Sequence, residues 1–195
     1  MLQCKQMVKE TDFGRMKAYG IFLGVILLIL TGCRSTPPDV STTFDPISGQ
    51  RTDLMSENML ETPQNPPREV IWLNAARVYR DAWNRRPELY LELDYMARAE
   101  TGYLEIPVGT TLMLTVDGQE MNFTGNGSFN KRKSKQKGFV NETALYRVVQ
   151  TQLAKIANAK QVKVRVKGNN GIVERDFRPE NFQRFQEFLT RVRAS

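Results

Sequence analysis

The residues best suited to catalysis or metal binding are scarce in this sequence. Histidine is absent from all 195 residues, so the usual general base near neutral pH and the commonest metal ligand are both missing. The two cysteines, Cys4 and Cys33, both lie in the first 33 residues, and no acidic stretch has the spacing of a calcium loop. We therefore predict neither a metal nor another cofactor.

Two arrangements could in principle support hydrolysis. Carboxylates two residues apart serve glycoside hydrolysis when they face one cleft, but on a strand this spacing is typical of a solvated face. A serine flanked by lysines offers a nucleophile beside a base, although adjacent residues position a base poorly. The residues are Glu92 with Asp94, Glu174 with Asp176, and Ser134 between Lys133 and Lys135. We predict that the protein is not an enzyme, with a hydrolase of either kind as the less favoured alternative.

A basic run is the most distinctive charged feature. Residues 130–138, NKRKSKQKG, contain Lys131, Arg132, Lys133, Lys135 and Lys137 in a chain whose net charge is +7. Such a run is either an exposed hairpin tip that favours solubility or a contact for lipid phosphates, a cell-wall polymer or an acidic protein. Each basic residue near an anionic membrane contributes about 1 kcal/mol of attraction. The run lacks interleaved aromatic side chains, so we predict no nucleic-acid partner.

The amino-terminal segment carries the pattern of an export signal. An apolar run from Ala18 to Leu30 follows Arg15 and Lys17, and it is shorter than the roughly 20 residues of a membrane-spanning helix. A start at Met16 would give the compact signal MKAYGIFLGVILLILTGC. The pattern predicts that residues 1–32 are a signal peptide.

The end of this run, Leu30-Thr31-Gly32-Cys33, resembles the lipobox of bacterial lipoproteins. The resemblance implies that the signal is cut before Cys33, that diacylglycerol is joined to the Cys33 thiol, and that the new amino terminus is acylated. The resemblance to Gram-negative lipoproteins, with Arg34 rather than Asp after the cysteine, implies an outer-membrane lipoprotein that faces the periplasm. The alternative is the outer leaflet of the cytoplasmic membrane.

The rest of the chain divides into a tether and a domain. Residues 33–67 hold the candidate lipidated cysteine and six of the nine prolines, with few large apolar residues, so we expect a flexible tether. Residues 68–195 have the composition of one globular domain. A lipoprotein needs such a tether to hold its folded part clear of the lipid headgroups.

Periodicity suggests the elements of the domain. Residues 68–86 fit an amphipathic helix, and their first part equally fits a strand. Two-residue alternation predicts strands, and Asp117-Gly118 predicts a two-residue turn between two of them. The last two strands form a hairpin. A short helix precedes this hairpin, and a final helix with an apolar stripe follows it. The strands are expected in 89–97, 111–116, 119–125, 143–149 and 161–177, and the helices in 151–159 and from Pro179 on.

The hairpin in 161–177 allows a register to be predicted. Opposing Lys167 and Ile172 sets Arg165 against Glu174 on the charged face, while Arg175 opposite Val164 interrupts the apolar face. The expected fold is α+β: a single domain with an antiparallel sheet of about five to six strands, covered by a C-terminal amphipathic helix and one or two shorter helices.

These patterns predict a function in outline. The leading hypothesis is an exported lipoprotein, held to the membrane by lipid on Cys33, that acts as a non-catalytic binding or protein-interaction module. Its partner would be an envelope protein or an anionic envelope polymer. The alternative is an anion-binding protein that acts through the basic run at 130–138.

Overall fold

The computed structural model describes residues 40–63, 67–80, 86–129 and 137–193, which belong to one compact unit. Within these ranges nine strands form one sheet, and every neighbouring pair is antiparallel. Along the sheet the order is β1-β2-β3-β4-β7-β6-β5-β8-β9. In chain order the elements are β1 Val40–Phe44, β2 Arg51–Met55, β3 Glu69–Tyr79, β4 Glu88–Arg98, β5 Val108–Val116, β6 Gln119–Phe129, β7 Phe139–Val148, α1 Gln150–Ala157, β8 Val162–Gly168, β9 Gly171–Asp176 and α2 Pro179–Arg193. The expected antiparallel α+β fold is confirmed, but its sheet has nine strands rather than five to six.

The strands predicted by strict alternation are present. In β4 the predicted inward face is buried, and the residues between are partly exposed. Asp117 and Gly118 form the predicted turn between β5 and β6, both with the positive φ angles (47° and 82°) that such a two-residue turn requires. The β8–β9 hairpin has the predicted register, including Lys167 opposite Ile172 and Arg165 opposite Glu174. The buried β4 residues are Leu89, Leu91, Leu93 and Tyr95.

The ambiguous segment at 68–86 is a strand in its described part, β3, and not a helix. Ile71 and Leu73 are buried on one face of the strand, while Val70 and Ala76 are buried on the other. A strand covered on both faces carries apolar residues without simple alternation. Apolar residues on both faces, such as Ile71 and Ala76, produced the apparent helical spacing, so periodicity alone could not separate the two structures.

The sheet also begins earlier in the chain than expected. Residues 40–61, which the sequence assigned to the flexible tether, contain β1 and β2 and a segment that follows β2. That segment continues the pairing with β3, since Leu60 donates its backbone N–H to Ile71 and Asn58 accepts one from Leu73. The folded unit therefore includes polar strands that composition did not reveal.

Helix α2 packs across the sheet. The apolar stripe predicted for this helix is present, and its residues Phe185, Phe188 and Leu189 are buried. Near its N-terminal end, Asn181 donates to the side chain of Asn58 (2.8 Å). Near its C-terminal end, the carbonyl of Val192 accepts from Arg77 of β3 (3.1 Å). Of the helices in the described ranges, none is long and apolar enough to span a membrane.

The sheet curls so that β9 approaches the segment before β3. The backbone N–H of Glu61 donates to the carbonyl of Asp176 (3.1 Å). Arg175 of β9 reaches Glu69 at the start of β3, with 2.9 Å between the guanidinium nitrogen and the carboxylate oxygen. This ion pair explains why an arginine interrupts the apolar face of the hairpin opposite Val164. The curl brings together residues that are distant in sequence.

Candidate functional site

The structure leaves most of the sequence-predicted site residues undescribed. Cys33 lies outside the described residues, as do Lys131, Arg132, Lys133 and Lys135, and also Ser134 with the basic run around it. Lys137 is described and is exposed in the turn that leads into β7. The lipidation site and the anion-binding run therefore stay predictions.

One member of each predicted carboxylate pair bonds a neighbouring side chain, whereas Oδ1 of Asp176 is buried without a hydrogen-bond partner among the described residues. Asp94 of β4 accepts a hydrogen bond from Thr143 (2.5 Å) on β7. Glu174 of β9 is ion-paired with Arg165 (2.5 Å), as the hairpin register predicted. Glu92 and Asp94 lie on β4, whereas Glu174 and Asp176 lie on β9, and these two strands are not neighbours in the sheet.

A cleft lies where β3 begins and β4 ends, beside the approaching end of β9. Its volume is about 820 Å³. Most of its lining side chains are charged, and two prolines contribute apolar surface. They are Pro63, Pro67, Arg68, Glu69, Arg98, Glu100, Thr101 and Arg175. Three strands and the chain segments directly beside them thus supply three arginines and two glutamates to one depression.

Two of these arginines are direct neighbours across the strand pair. Glu69 lies opposite Ala97, so the register places Arg68 opposite Arg98. The backbone N–H of Arg98 donates to the carbonyl of Arg68 (3.1 Å), which fixes this pairing. Directly opposed residues of an antiparallel pair project from the same face with Cβ atoms about 5 Å apart. The side chains of Arg68 and Arg98 therefore leave the backbone side by side, and both line the cleft.

Glu100 is the acid nearest to Arg98. Their closest nitrogen and oxygen atoms are 3.7 Å apart, and the Glu100 side chain is 71% exposed. An ion pair this long and this exposed neutralises its arginine poorly, since water and salt screen it.

The floor of the cleft, as we call it, is the largely buried ion pair of Arg175 with Glu69. The Arg175 side chain is 9% exposed and bonds Glu69 at 2.9 Å. Arg175 also donates to the carbonyl of Glu174 (2.6 Å), whereas its Nε is buried without a hydrogen-bond partner among the described residues. A guanidinium held by two fixed acceptors is rigid, so the floor is preorganised.

Tyr95 lies behind this floor on β4. Its hydroxyl donates to the carbonyl of Gly102 (3.3 Å) and lies 3.5 Å from a carboxylate oxygen of Glu69. Burial raises the pKa of Tyr95 well above its ordinary value, and the negative charges of Glu69 and Glu142 raise it further. The hydroxyl therefore stays protonated and donates to one acceptor at a time, the Gly102 carbonyl or the Glu69 carboxylate.

The charge balance of the cleft favours anions. Glu69 is committed to Arg175, and Glu100 only weakly offsets Arg98, so Arg68 and Arg98 carry the excess positive charge at the opening. Guanidinium groups bind carboxylates and phosphates through paired N–H donors. The described residues contain no group of three or more acidic or cysteine side chains placed to hold a metal ion.

A second depression, of about 540 Å³, lies on the outer face of the sheet. Here Arg80 is ion-paired with Glu88 (2.6 Å) and donates to the hydroxyl of Tyr90 (3.0 Å). The hydrogen bond from Tyr90 and the pairing with Arg80 lower the pKa of Glu88. These charges satisfy one another, so this site has less reason to bind an ion than the arginine-lined cleft.

Sequence reasoning missed Arg68 and Arg98, because only the pairing of β3 with β4 brings them together. Arg175 did give a signal, since it broke the apolar face of a hairpin whose register was otherwise regular. An inward-facing charge of this kind indicates a partner on another element. The comparisons with known proteins add no relative: no family model, no curated protein and no solved structure matches the chain.

Proposed function

We propose that this chain is an exported lipoprotein, anchored through lipid on Cys33, whose α+β domain is a non-catalytic binding module of the cell envelope. The lipobox-like residues Leu30-Thr31-Gly32-Cys33 support the anchor. The arginine-lined cleft supports a binding role, and it is the observation that carries this part of the proposal. We expect an outer-membrane protein that faces the periplasm, with the outer leaflet of the cytoplasmic membrane as the alternative.

The cleft has the properties of a binding site rather than of a simple surface. Three of its lining residues, Glu69, Arg98 and Arg175, lie on strands, and the largely buried ion pair of Arg175 with Glu69 holds two of these strands together. Sites on regular elements are held more precisely than sites on loops. A ligand would therefore meet side chains that are already in place.

The anchor is tested by the intact mass of the protein extracted from its native membrane, measured beside a Cys33→Ser variant. We expect a chain that begins at Cys33 and carries the mass of acyl chains, and the variant should lack that mass. An unmodified wild-type chain that still contains residues 16–32 would refute the anchor.

The alternative site, the basic run at 130–138, is separated from the cleft by charge reversal. One variant carries Lys131→Glu, Arg132→Glu and Lys133→Glu, and the other carries Arg68→Glu and Arg98→Glu. Binding to purified cell-wall polymer and to anionic vesicles is measured against salt for both variants and for wild type. Loss of binding in the cleft variant alone would support our proposal, whereas loss in the loop variant alone would favour the basic run.

A further inference from the structure

We propose that the cleft at the start of β3 and the end of β4 binds an oxyanion, a carboxylate or phosphate group of its ligand, between Arg68 and Arg98. This inference deepens the proposed binding function and names the chemical group that the site recognises. It rests on four observations: the opposed arginines, the committed acids, the preorganised floor and the proline wall.

The opposed arginines are the first observation. Like charges directly across an antiparallel pair destabilise it, and Arg68 faces Arg98 in this way. Both side chains line the same cleft. An oxyanion placed between two guanidinium groups removes their repulsion and receives charge-assisted hydrogen bonds from both.

The acids of the cleft do not already provide the negative charge between Arg68 and Arg98. Glu69 is ion-paired with Arg175, and its other carboxylate oxygen lies 3.5 Å from the hydroxyl of Tyr95. Glu100 is mostly solvated and lies 3.7 Å from Arg98. The two arginines at the opening therefore keep a net positive charge that only a bound anion can balance closely.

The remaining surface indicates what carries the oxyanion. Pro63 and Pro67 form an apolar part of the wall, and Thr101 adds a hydroxyl. The volume of about 820 Å³ exceeds what a single carboxylate or phosphate group occupies. The cleft thus has room for a ligand larger than a free ion, with its anionic group at the arginines and an apolar part against the prolines.

The test is a titration of the full mature chain in a non-ionic detergent at constant ionic strength. The probes are inorganic phosphate and an acetylated, amidated glutamyl peptide, which separate phosphate from carboxylate sources, with chloride as the reference anion. Binding is followed by backbone amide NMR shifts for wild type, Arg68→Gln, Arg98→Gln and the control Arg165→Gln. Arg165 is an exposed strand arginine that lies outside the cleft lining and is ion-paired with Glu174.

We expect at least one probe to shift the amides of residues 98–101 in wild type and in Arg165→Gln. The dissociation constant should rise about ten-fold or more in Arg68→Gln and in Arg98→Gln, because each loses a charged hydrogen-bond donor. A response to one probe alone supports the inference and identifies the group. Equal affinities in all four proteins, or no shift with either probe, would overturn it.

A second measurement guards against variants that merely misfold. Without the probe and at low salt, Arg98→Gln should unfold at a urea concentration equal to or above that of wild type, since it removes a repulsion. A clear loss of stability would show that the arginine is structural and would overturn the inference. The mass test of Cys33 is independent of both measurements, so failure of the anchor and failure of this site are told apart.

Discussion

Replacing Arg77 with methionine should destabilise the domain far more than any exposed arginine replacement. The guanidinium of Arg77 lies 2.6 Å from the carboxylate of Asp53, and the exposed fractions of the two side chains are 4% and 5%. Arg77 also donates to the Val192 carbonyl at the end of α2 (3.1 Å). The substitution therefore removes the main partner of a buried carboxylate and one contact between helix and sheet.

The expected loss follows from the burial of this pair. Removing one partner of a buried ion pair costs about 3–5 kcal/mol, because the remaining charge stays desolvated. Asp53 keeps a hydrogen bond from Thr42 (2.8 Å) and a contact with Arg51 (3.1 Å), so we expect the lower part of that range. For a domain of this size, 3–5 kcal/mol corresponds to a fall in Tm of about 6–20 °C.

The assay is urea unfolding at pH 7, with Arg80→Met as the matched control. The Arg80–Glu88 pair has the same 2.6 Å separation as the buried pair, but the Arg80 side chain is 60% exposed. Removing an exposed pair has little effect on the free energy of unfolding. The double variant Asp53→Leu with Arg77→Met should recover part of the loss, since it leaves no unpaired charge.

One result would refute this reasoning. If Arg77→Met lost no more stability than Arg80→Met, then the burial of the Asp53–Arg77 pair would have no energetic consequence. Equal losses in the single and double variants would mean instead that packing, and not the unpaired carboxylate, determines the effect.

Three further outcomes are expected. Burial alone would raise the pKa of Asp53, but hydrogen bonds from Arg77 and Thr42 and the charge of Arg77 lower it overall. The stability that the Asp53 carboxylate provides is thus present above its unfolded pKa of about 3.9 and is lost as pH falls through its lower folded pKa. The urea midpoints of wild type and Asp53→Asn should therefore converge below about pH 4. Phe185→Ala, at a fully buried position of α2, should cost about 3–5 kcal/mol in the same unfolding assay. Gly168→Ala should lower the Tm in calorimetry, because a Cβ there would lie 2.0 Å from the carbonyl oxygen of Leu104 and the backbone would have to move.

The elements that were predicted best are those that short-range sequence patterns determine. The β8–β9 hairpin could be aligned pair by pair, because a short turn and strict alternation determine its register. The apolar stripe of α2 and the Asp117-Gly118 turn were found for the same reason. In each case the pattern depends on residues that lie close together in the sequence.

The missed strands depend on distant residues. β1 has no charged residue and only Val40 and Phe44 as large apolar residues, so composition resembled a linker. Asp53 of β2 is stabilised by Arg77, which is 24 positions away. Long-range hydrogen bonds of this kind have no signature in local composition.

The cleft could not be predicted for a related reason. Arg68 and Arg98 are 30 positions apart, and their opposition follows from the register of β3 with β4. The sequence left β3 open between helix and strand, so no register could be assigned. The arginine that the sequence did single out, Arg175, enters the site only because the sheet curls.

The early start of the sheet leaves only a short segment between Cys33 and the first strand. If lipid is attached to Cys33 as we propose, β1 begins at Val40, and seven residue steps span at most about 25 Å in any conformation. A tether that ended at residue 68 would reach about 120 Å. The domain would therefore stay within a thin layer beside the lipid headgroups, and it could bind only a ligand that is present in that layer.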